Sequence, residues 1–422
     1  MLWKMPNCVR EYCTAQADPA LADGCCLVHS ADPNKPTAAM QQAIVDFAKN
    51  GYKLAARGWV FPFDVDLSGT GIWQLNLRDA VFKGNVTFAN SYFNPTSEAS
   101  FEGTTFERDV TFSNFQFQCP TDFRGTTFKR HARFDNADFR NAYFVYAIFD
   151  GDATFDDARS RELQFFDVKF NEAVGFRRFS AETLRFTNTA FGQWASFEET
   201  DMTRALFSHC DVRGLQLSRA VNLAHGEFFD CQWPRGGVFE ERRARDTQEV
   251  PRYREAARVY RELRRGSETR RQYDDADTFD WREMEMRRLA VGRGAPRLGE
   301  LRRTIFSVEA LYRWLGSYGH SLRLPVLWLV VLVVVVYPYL FAFAGIELAG
   351  QTYSVRPPTD RSSVGDGYLD LVAFSTRTAA LISEPVGAAL SPAAQLVEVS
   401  LRILGPLFAL LFSLAVRRRL RR

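Results

Sequence analysis

Large apolar residues recur along the first half of the chain every five or six positions, not every two or every three to four. From Phe101 they run Phe106, Phe112, Phe117, Phe123, Phe128, Phe134, Phe139, Phe144, Phe149 and Phe155. The register resumes at Phe165, Phe170, Phe176, Phe186, Phe191, Phe197, Met202 and Phe207. A helix cannot gather such positions on one stripe, and a flat strand of period two sends alternate ones to opposite faces. A chain that turns a corner about every five residues puts all of them inside. Small and polar residues fill the intervals, as in Phe101-Glu102-Gly103-Thr104-Thr105-Phe106 and Phe134-Asp135-Asn136-Ala137-Asp138-Phe139. Asp and Asn suit the corners because their side chains bond local backbone groups. The six-residue steps suggest bulged corners.

The pattern then changes to helical. Tyr253, Ala256, Ala257, Tyr260 and Leu263 fall at helical spacing, and Tyr273, Ala276, Phe279, Trp281, Met284 and Met286 suggest a second, less regular helix beyond Gly266-Ser267. Together they look like an αα-hairpin. A third helix, over about residues 298–318, sets Leu301, Ile305, Leu311, Trp314 and Leu315 beside Arg302, Arg303 and Arg313, as a helix lying on a lipid surface would.

Residues 324–346 carry no charge over 23 positions, more than the ~20 that cross a bilayer, with Pro338 as a kink. Residues 394–416 offer a second span, interrupted by Glu398 and Arg402, which are i,i+4 partners. Residues 368–382 are too short to cross, so they are re-entrant, interfacial or a small outer helix. Basic residues crowd before Leu324 and after Val416, ending in Arg417-Arg418-Arg419-Leu420-Arg421-Arg422. The positive-inside rule then predicts a two-span protein of the inner (cytoplasmic) membrane with both termini in the cytoplasm.

Four segments follow from these shifts: an N-terminal Cys/His lobe (1–60), the repeat (61–237), a helical linker (238–320) and the membrane segment (321–422). The net charge of +3 gives no global attraction to nucleic acid, and acidic residues exceed basic ones by only about six over residues 79–232. No nucleic-acid partner is expected, and the terminal arginines read as an anchor to membrane lipid. The first residues hold no long apolar run, so no signal peptide is expected and disulfides are not. The spacing Cys8-x4-Cys13-x12-Cys26-x2-His29 then reads as a closed, structural zinc site, with Cys25 a competing ligand. His131, His209, His225 and His320 stand alone, and the chain has no phosphate loop, no Gly-x-Ser-x-Gly and no paired-His motif. No enzymatic activity is expected.

Asn136-Ala137-Asp138-Phe139-Arg140-Asn141-Ala142-Tyr143-Phe144 resembles the A-(D/N)-(L/F)-x-x signature of pentapeptide-repeat proteins, a likeness that extends from near residue 80 to near residue 232. It implies a mainly β fold, a right-handed quadrilateral β-helix of about seven coils, some 35 Å long at the strand spacing of ~4.8 Å. The tail resembles the two-helix pore module of the potassium-channel superfamily. Residues 324–346 match its outer helix, Leu369-Asp370-Leu371-Val372-Ala373-Phe374-Ser375 its pore helix, and Gly405-Pro406-Leu407-Phe408-Ala409-Leu410-Leu411 part of its inner helix. This resemblance implies a homo-oligomeric, ion-conducting ring. Gly405-Pro406 is the natural hinge, because proline removes a helix hydrogen bond.

Where that family carries Thr-Val-Gly-Tyr-Gly, this chain has Ile382-Ser383-Glu384-Pro385-Val386-Gly387, so potassium selectivity is not carried over. Ser383, Glu384 and Pro385 form the candidate pore loop, where a ring of Glu384 would favour inorganic cations. Glu398 and Arg402 pair within one helix, line a pore or fix subunit contacts. Two readings stand. One is a membrane pore gated or assembled by a cytoplasmic solenoid that binds a protein or ligand. The other is a non-conducting solenoid scaffold tethered to the membrane.

Overall fold

The computed structural model describes residues 10, 13, 15–16, 21, 25–32, 34–292, 307–348, 351–353, 367–382, 387–389 and 391–420. They form two compact units, Met1–Arg270 and Arg271–Arg422.

The first unit is a parallel β-solenoid. Two-residue strands Gln116–Phe117 and Thr121–Asp122, on successive faces, both pair with the single longer strand Asp138–Val145. Two of the four faces are therefore continuous, and the other two form separate sheets of seven and eight strands. The eight-stranded sheet gives eight coils, one more than the seven expected. The additional coil begins at Leu54, where Ala56, Leu67 and Ile72 take central inward positions beside the single ring of Phe61, so no phenylalanine period is visible.

Successive coils repeat at 21 residues over most of the stack, and at 24 and 22 between Phe82, Phe106 and Phe128, so like side chains stack. Phe123, Phe144, Phe165, Phe186, Phe207 and Phe228 lie face to face with ring centroids 4.5 to 5.0 Å apart. Two further columns run through Phe61–Phe191 and Phe88–Phe197. Each such ring is buried, worth about 1.5–3 kcal/mol in burial with ~0.5–1.5 more per aromatic pair. A fourth column holds Phe117 and Phe139, 4.6 Å apart, then stops: Ser160 and Ala181 occupy the next two places in register.

The corners explain the uneven steps. Gly103, Asn114, Gly125, Asn136, Tyr146 and Asp157 all have φ between 55° and 67°. Each stands two residues after an inward Phe, within a five-residue step. The six-residue steps Phe106–Phe112 and Phe149–Phe155 contain no left-handed residue and spend one more residue on the turn. Outward positions 21 apart form a polar ladder between coils, such as Arg177 with Asp156 at 3.1 Å and Arg178 with Asp157 at 2.6 Å.

Both ends of the solenoid are covered. Helix α1 (Ala38–Asn50) buries Met40, Ile44 and Phe47. Buried Lys35 donates to the carbonyls of Ser30 at 2.8 Å and of Val60 at 2.6 Å, binding the N-terminal lobe to the first coil. At the other end lie α2 (Phe239–Thr247) and α3 (Val250–Thr269). Glu240 in the first turn of α2 accepts from the backbone N–H of Leu217 and of Ser218, both at 2.6 Å. Gly266 lies inside α3 and does not end it, because a Cβ there would collide with the Ala224 carbonyl of the last coil. The break expected at Gly266-Ser267 falls instead between Thr269 and Tyr273.

The second unit starts with α4 (Tyr273–Gly292) and α5 (Val308–Gly316). Buried Glu285 of α4 pairs with Arg288 at 2.8 Å and Arg313 at 3.4 Å, and accepts from the Tyr318 hydroxyl at 3.0 Å. Burial pushes this carboxyl up, and the two arginines outweigh it and hold it below the usual range. Val308, Leu311 and Trp314 form an exposed apolar stripe on α5. Two helices are long and apolar enough to cross a membrane: α6 (Arg323–Ala344), with mean hydropathy 2.6, and a second over Pro392–Arg417, with mean hydropathy 2.0. The second is most of α8 (Pro392–Leu420), and α7 (Tyr368–Ala379) lies between them in sequence.

Burial pushes the Glu240 carboxyl up to about 7 from its ordinary 4.5, against the two backbone donors. A carboxyl that holds its proton more tightly when folded stabilises the fold most at low pH and loses that contribution as pH rises through about 7. Glu240→Gln should therefore flatten the fall in thermal midpoint between about pH 5 and pH 8 and stabilise the protein at the upper end, by up to about 3 kcal/mol. A variant whose pH profile follows the parent's would contradict this.

Candidate functional site

Three places in the molecule gather chemistry. The first is the N-terminal lobe. Cys13 Sγ lies 3.7 Å from Cys26 Sγ, and Cys26 Sγ lies 3.3 Å from His29 Nδ1. The three donor atoms fall within 4.8 Å of one another, and Cys26 and His29 are buried. Two thiolates on one tetrahedral ion at ~2.3 Å would be about 3.8 Å apart, close to the observed spacing. His29 Nε2 faces the Arg57 carbonyl at 3.0 Å. With its proton there, Nδ1 keeps a lone pair toward the thiols. The residues present fit a metal ion. Cys8, the fourth expected ligand, lies outside the described residues, and Cys25 is buried but not in the group.

The second place is a groove of about 650 Å³ on the solenoid. It opens where the fourth aromatic column stops, over Phe139, Ser160 and Ala181. Arg140, Arg159 and Arg161 edge it, with Pro95 also in its wall. Arg159 is held by Asp138 at 2.6 Å and Arg161 by Glu182 at 3.8 Å, while Arg140 donates to the Gln118 carbonyl at 3.3 Å and has no ion-pair partner among the described residues. The Ser160 hydroxyl is buried with no hydrogen-bond partner among the described residues. No sequence motif marked this groove. The replacement of Phe by Ser160 in the register was its one readable sign.

The third is the apolar hairpin. The strand Ile346–Leu348, which follows α6, pairs antiparallel with both Gln351–Tyr353 and Gly387–Ala389. Both ends of the segment carrying α7 thus return to the same end of the hairpin, where Ser391 donates to the Ala344 carbonyl at 2.7 Å. From there α7 packs on both long helices. Phe374 meets Phe341 edge to face at 5.1 Å, and Leu371 shares a core with Val333, Tyr337 and Leu401. A Cβ on Gly405 would fall on the Ala379 carbonyl, so this glycine lets the end of α7 touch α8.

Pro338 explains the other contact. It has no N–H, so the carbonyl four residues back, on Val334, loses its helical donor. The Tyr368 hydroxyl donates to that carbonyl, and the helix widens to a π-turn over Val331–Val336. The hydroxyls of Ser375, Thr376 and Thr378 turn back onto carbonyls of α7 itself, each at 2.8 Å.

Glu398 and Arg402 pair within α8 at 2.6 Å, with the Arg402 side chain half exposed. Gly405 and Pro406 sit inside the same helix. Ser383, Glu384 and Pro385 lie outside the described residues. Sequence reading missed Tyr368, whose partner is created by a proline 30 positions away.

Residues 112–159 match the family model described as Pentapeptide repeats (9 copies). The match ends one residue before Ser160, where the fourth phenylalanine column is lost. No curated protein and no solved structure matches the chain.

Two substitutions test these sites. Purified protein should carry a bound divalent metal, and Cys26→Ser should lose most of it and lower the thermal midpoint, read by metal analysis and melting. Equal metal content in parent and variant would remove Cys26 from the site. Tyr368→Phe should destabilise the hairpin by about 1–3 kcal/mol, since it leaves the Val334 carbonyl unpaired. An unchanged melting curve in detergent would show that carbonyl finding another donor.

Proposed function

We propose that this pentapeptide-repeat solenoid with two apolar helices is an oligomeric membrane pore, controlled or assembled by the solenoid in the cytoplasm. The observation that carries the proposal is α7. It enters between the two long helices and returns to the side it came from, the order of outer helix, re-entrant helix and inner helix that resembles the potassium-channel pore module. One chain supplies one such wedge, which cannot enclose a path for ions, so several copies must surround an axis.

The membrane assignment rests on exposure. Only 28% of each apolar window is buried within the chain. Val326, Leu327, Val330, Leu340 and Phe343 of α6 stand open. A helix at the core of a water-soluble protein would cover them, whereas lipid leaves them at no cost. Arg323 at the start of the first span, and Arg417 and Arg419 at the end of the second, support a cytoplasmic side for both termini by the positive-inside rule. The solenoid is then cytoplasmic. There the Cys13, Cys26 and His29 group holds zinc, which braces the lobe that covers the first coil. The groove beside Arg140 is the place for a small ligand or an acidic segment of a partner protein. Binding there turns the helices that follow the solenoid, and the polar network around Glu285 passes that movement to the start of α6.

The test is native mass in detergent together with conductance in planar bilayers. A ring-sized oligomer that passes current is expected. A monomer that passes none overturns the proposal and leaves a tethered scaffold.

A further inference from the structure

We infer that Arg377 forms the charged constriction of the pore and gives it a preference for inorganic anions, an inference that rests on the pore reading above. It starts from depth. Arg377 stands two residues before Ala379, whose carbonyl meets Gly405. Gly405 lies 13 residues after Pro392 and 12 before Arg417, so at 1.5 Å per residue it is about 20 Å and about 18 Å from the two ends of its span. Arg377 is therefore near the middle of the bilayer.

A guanidinium there cannot face acyl chains without heavy cost. It faces protein or water. It has no ion-pair partner among the described residues, unlike Arg402, which is held by Glu398.

The two open sides of the hairpin differ. Beyond Arg323 the open side of α6 is aliphatic and aromatic, with Val326, Leu327, Val330 and Phe343 among its residues and the Tyr339 hydroxyl its one polar group. The open side of α7 is Leu369, Asp370, Ala373, Thr376, Arg377 and Ala380. At 100° per residue these six fall within about 120° of the helix circumference. Apart from Leu369 the side chains on that arc are small or polar, which does not suit lipid and leaves room for water. The side of α6 is the lipid side, and the side of α7 faces the axis.

Around the axis, copies of α7 each contribute one Arg377 at the same level. Arg377 lies in the last turn of α7, where the carbonyl ends carry roughly half a negative charge. A full positive charge outweighs that, so the ring is net positive. Rings of arginine attract anions and repel cations, the reverse of what a ring of Glu384 would do. Asp370, seven residues earlier, lies about 10 Å away along the helix and does not neutralise the constriction.

The experiment is the reversal potential of full-length protein in planar bilayers under a tenfold potassium chloride gradient. Displacement toward the chloride equilibrium potential is expected. Arg377→Gln should lower the anion-to-cation permeability ratio roughly fivefold or more, and Arg377→Lys should keep it above unity. A cation-preferring or unselective parent channel overturns the inference while leaving the pore intact, and so does an Arg377→Gln channel with the parent's ratio. No current from the parent protein overturns the pore reading itself. The parent's reversal potential decides the matter even where Arg377→Gln fails to assemble.

Discussion

The stacking of phenylalanine rings at the spacing of β-strands is the constraint on which the first unit depends. Parallel strands repeat at about 4.8 Å, and flat aromatic rings in van der Waals contact accept nearly the same distance. A ring fits the column only if it returns to the same place in every coil. Added residues must therefore go to corners. Between Ile72 and Gln74 the partner strand jumps from Phe93 to Glu98, so three additional residues enter at one corner. Phe82 and Phe106 on the next face remain stacked at 5.2 Å. The groove beside Arg140 lies where this discipline lapses. Once Ser160 and Ala181 replace phenylalanine, the column loses the bulk that elsewhere keeps the surface regular.

A stack of open coils also needs ends, because each terminal coil exposes backbone groups and an apolar face. The chain answers with residues that resemble charge chemistry but work as backbone ligands. Lys35 gives its protons to carbonyls at the first coil, and Glu240 takes the N–H groups of Leu217 and Ser218 at the last. Burying an ionisable group is costly, and here several backbone bonds offset the cost at once. The Cys13, Cys26 and His29 group belongs to the same region as Lys35, bound through the His29–Arg57 contact to the first coil.

Features that repeat were legible in the sequence, and features that depend on one distant partner were not. The phenylalanine period carried the solenoid, its inward face and the solvated corners. It could not show the first coil, where only Phe61 joins an aromatic column and Ala56, Leu67 and Ile72 fill the other central inward positions. Gly266 read as a break between helices, because sequence alone cannot distinguish a glycine that ends a helix from one that lets it touch the Ala224 carbonyl. The spacing of Cys13, Cys26 and His29 was readable because short paired spacings place ligands together locally. Arg377 was not legible because its interest lies in the open side of α7 it occupies, which a linear pattern does not record.

The two prolines of the hairpin show how the apolar unit fixes its own geometry. A proline inside a helix takes the donor from the carbonyl four residues back, and a buried carbonyl without one is costly. Pro338 frees the Val334 carbonyl, and a donor from another segment meets it. Tyr368 is that donor, so the start of α7 is held at the kink. The far end of α7 rests on Gly405, next to Pro406, where α8 lacks a helical hydrogen bond and bends most readily. A bend at Gly405-Pro406 cannot leave α7 in place, because the surface that supports Ala379 moves with it. The glycine expected to act as a hinge is also the seat of the end of α7. Motion of α8 and the position of α7 are therefore one coordinate, anchored at Val334 and displaced at Gly405.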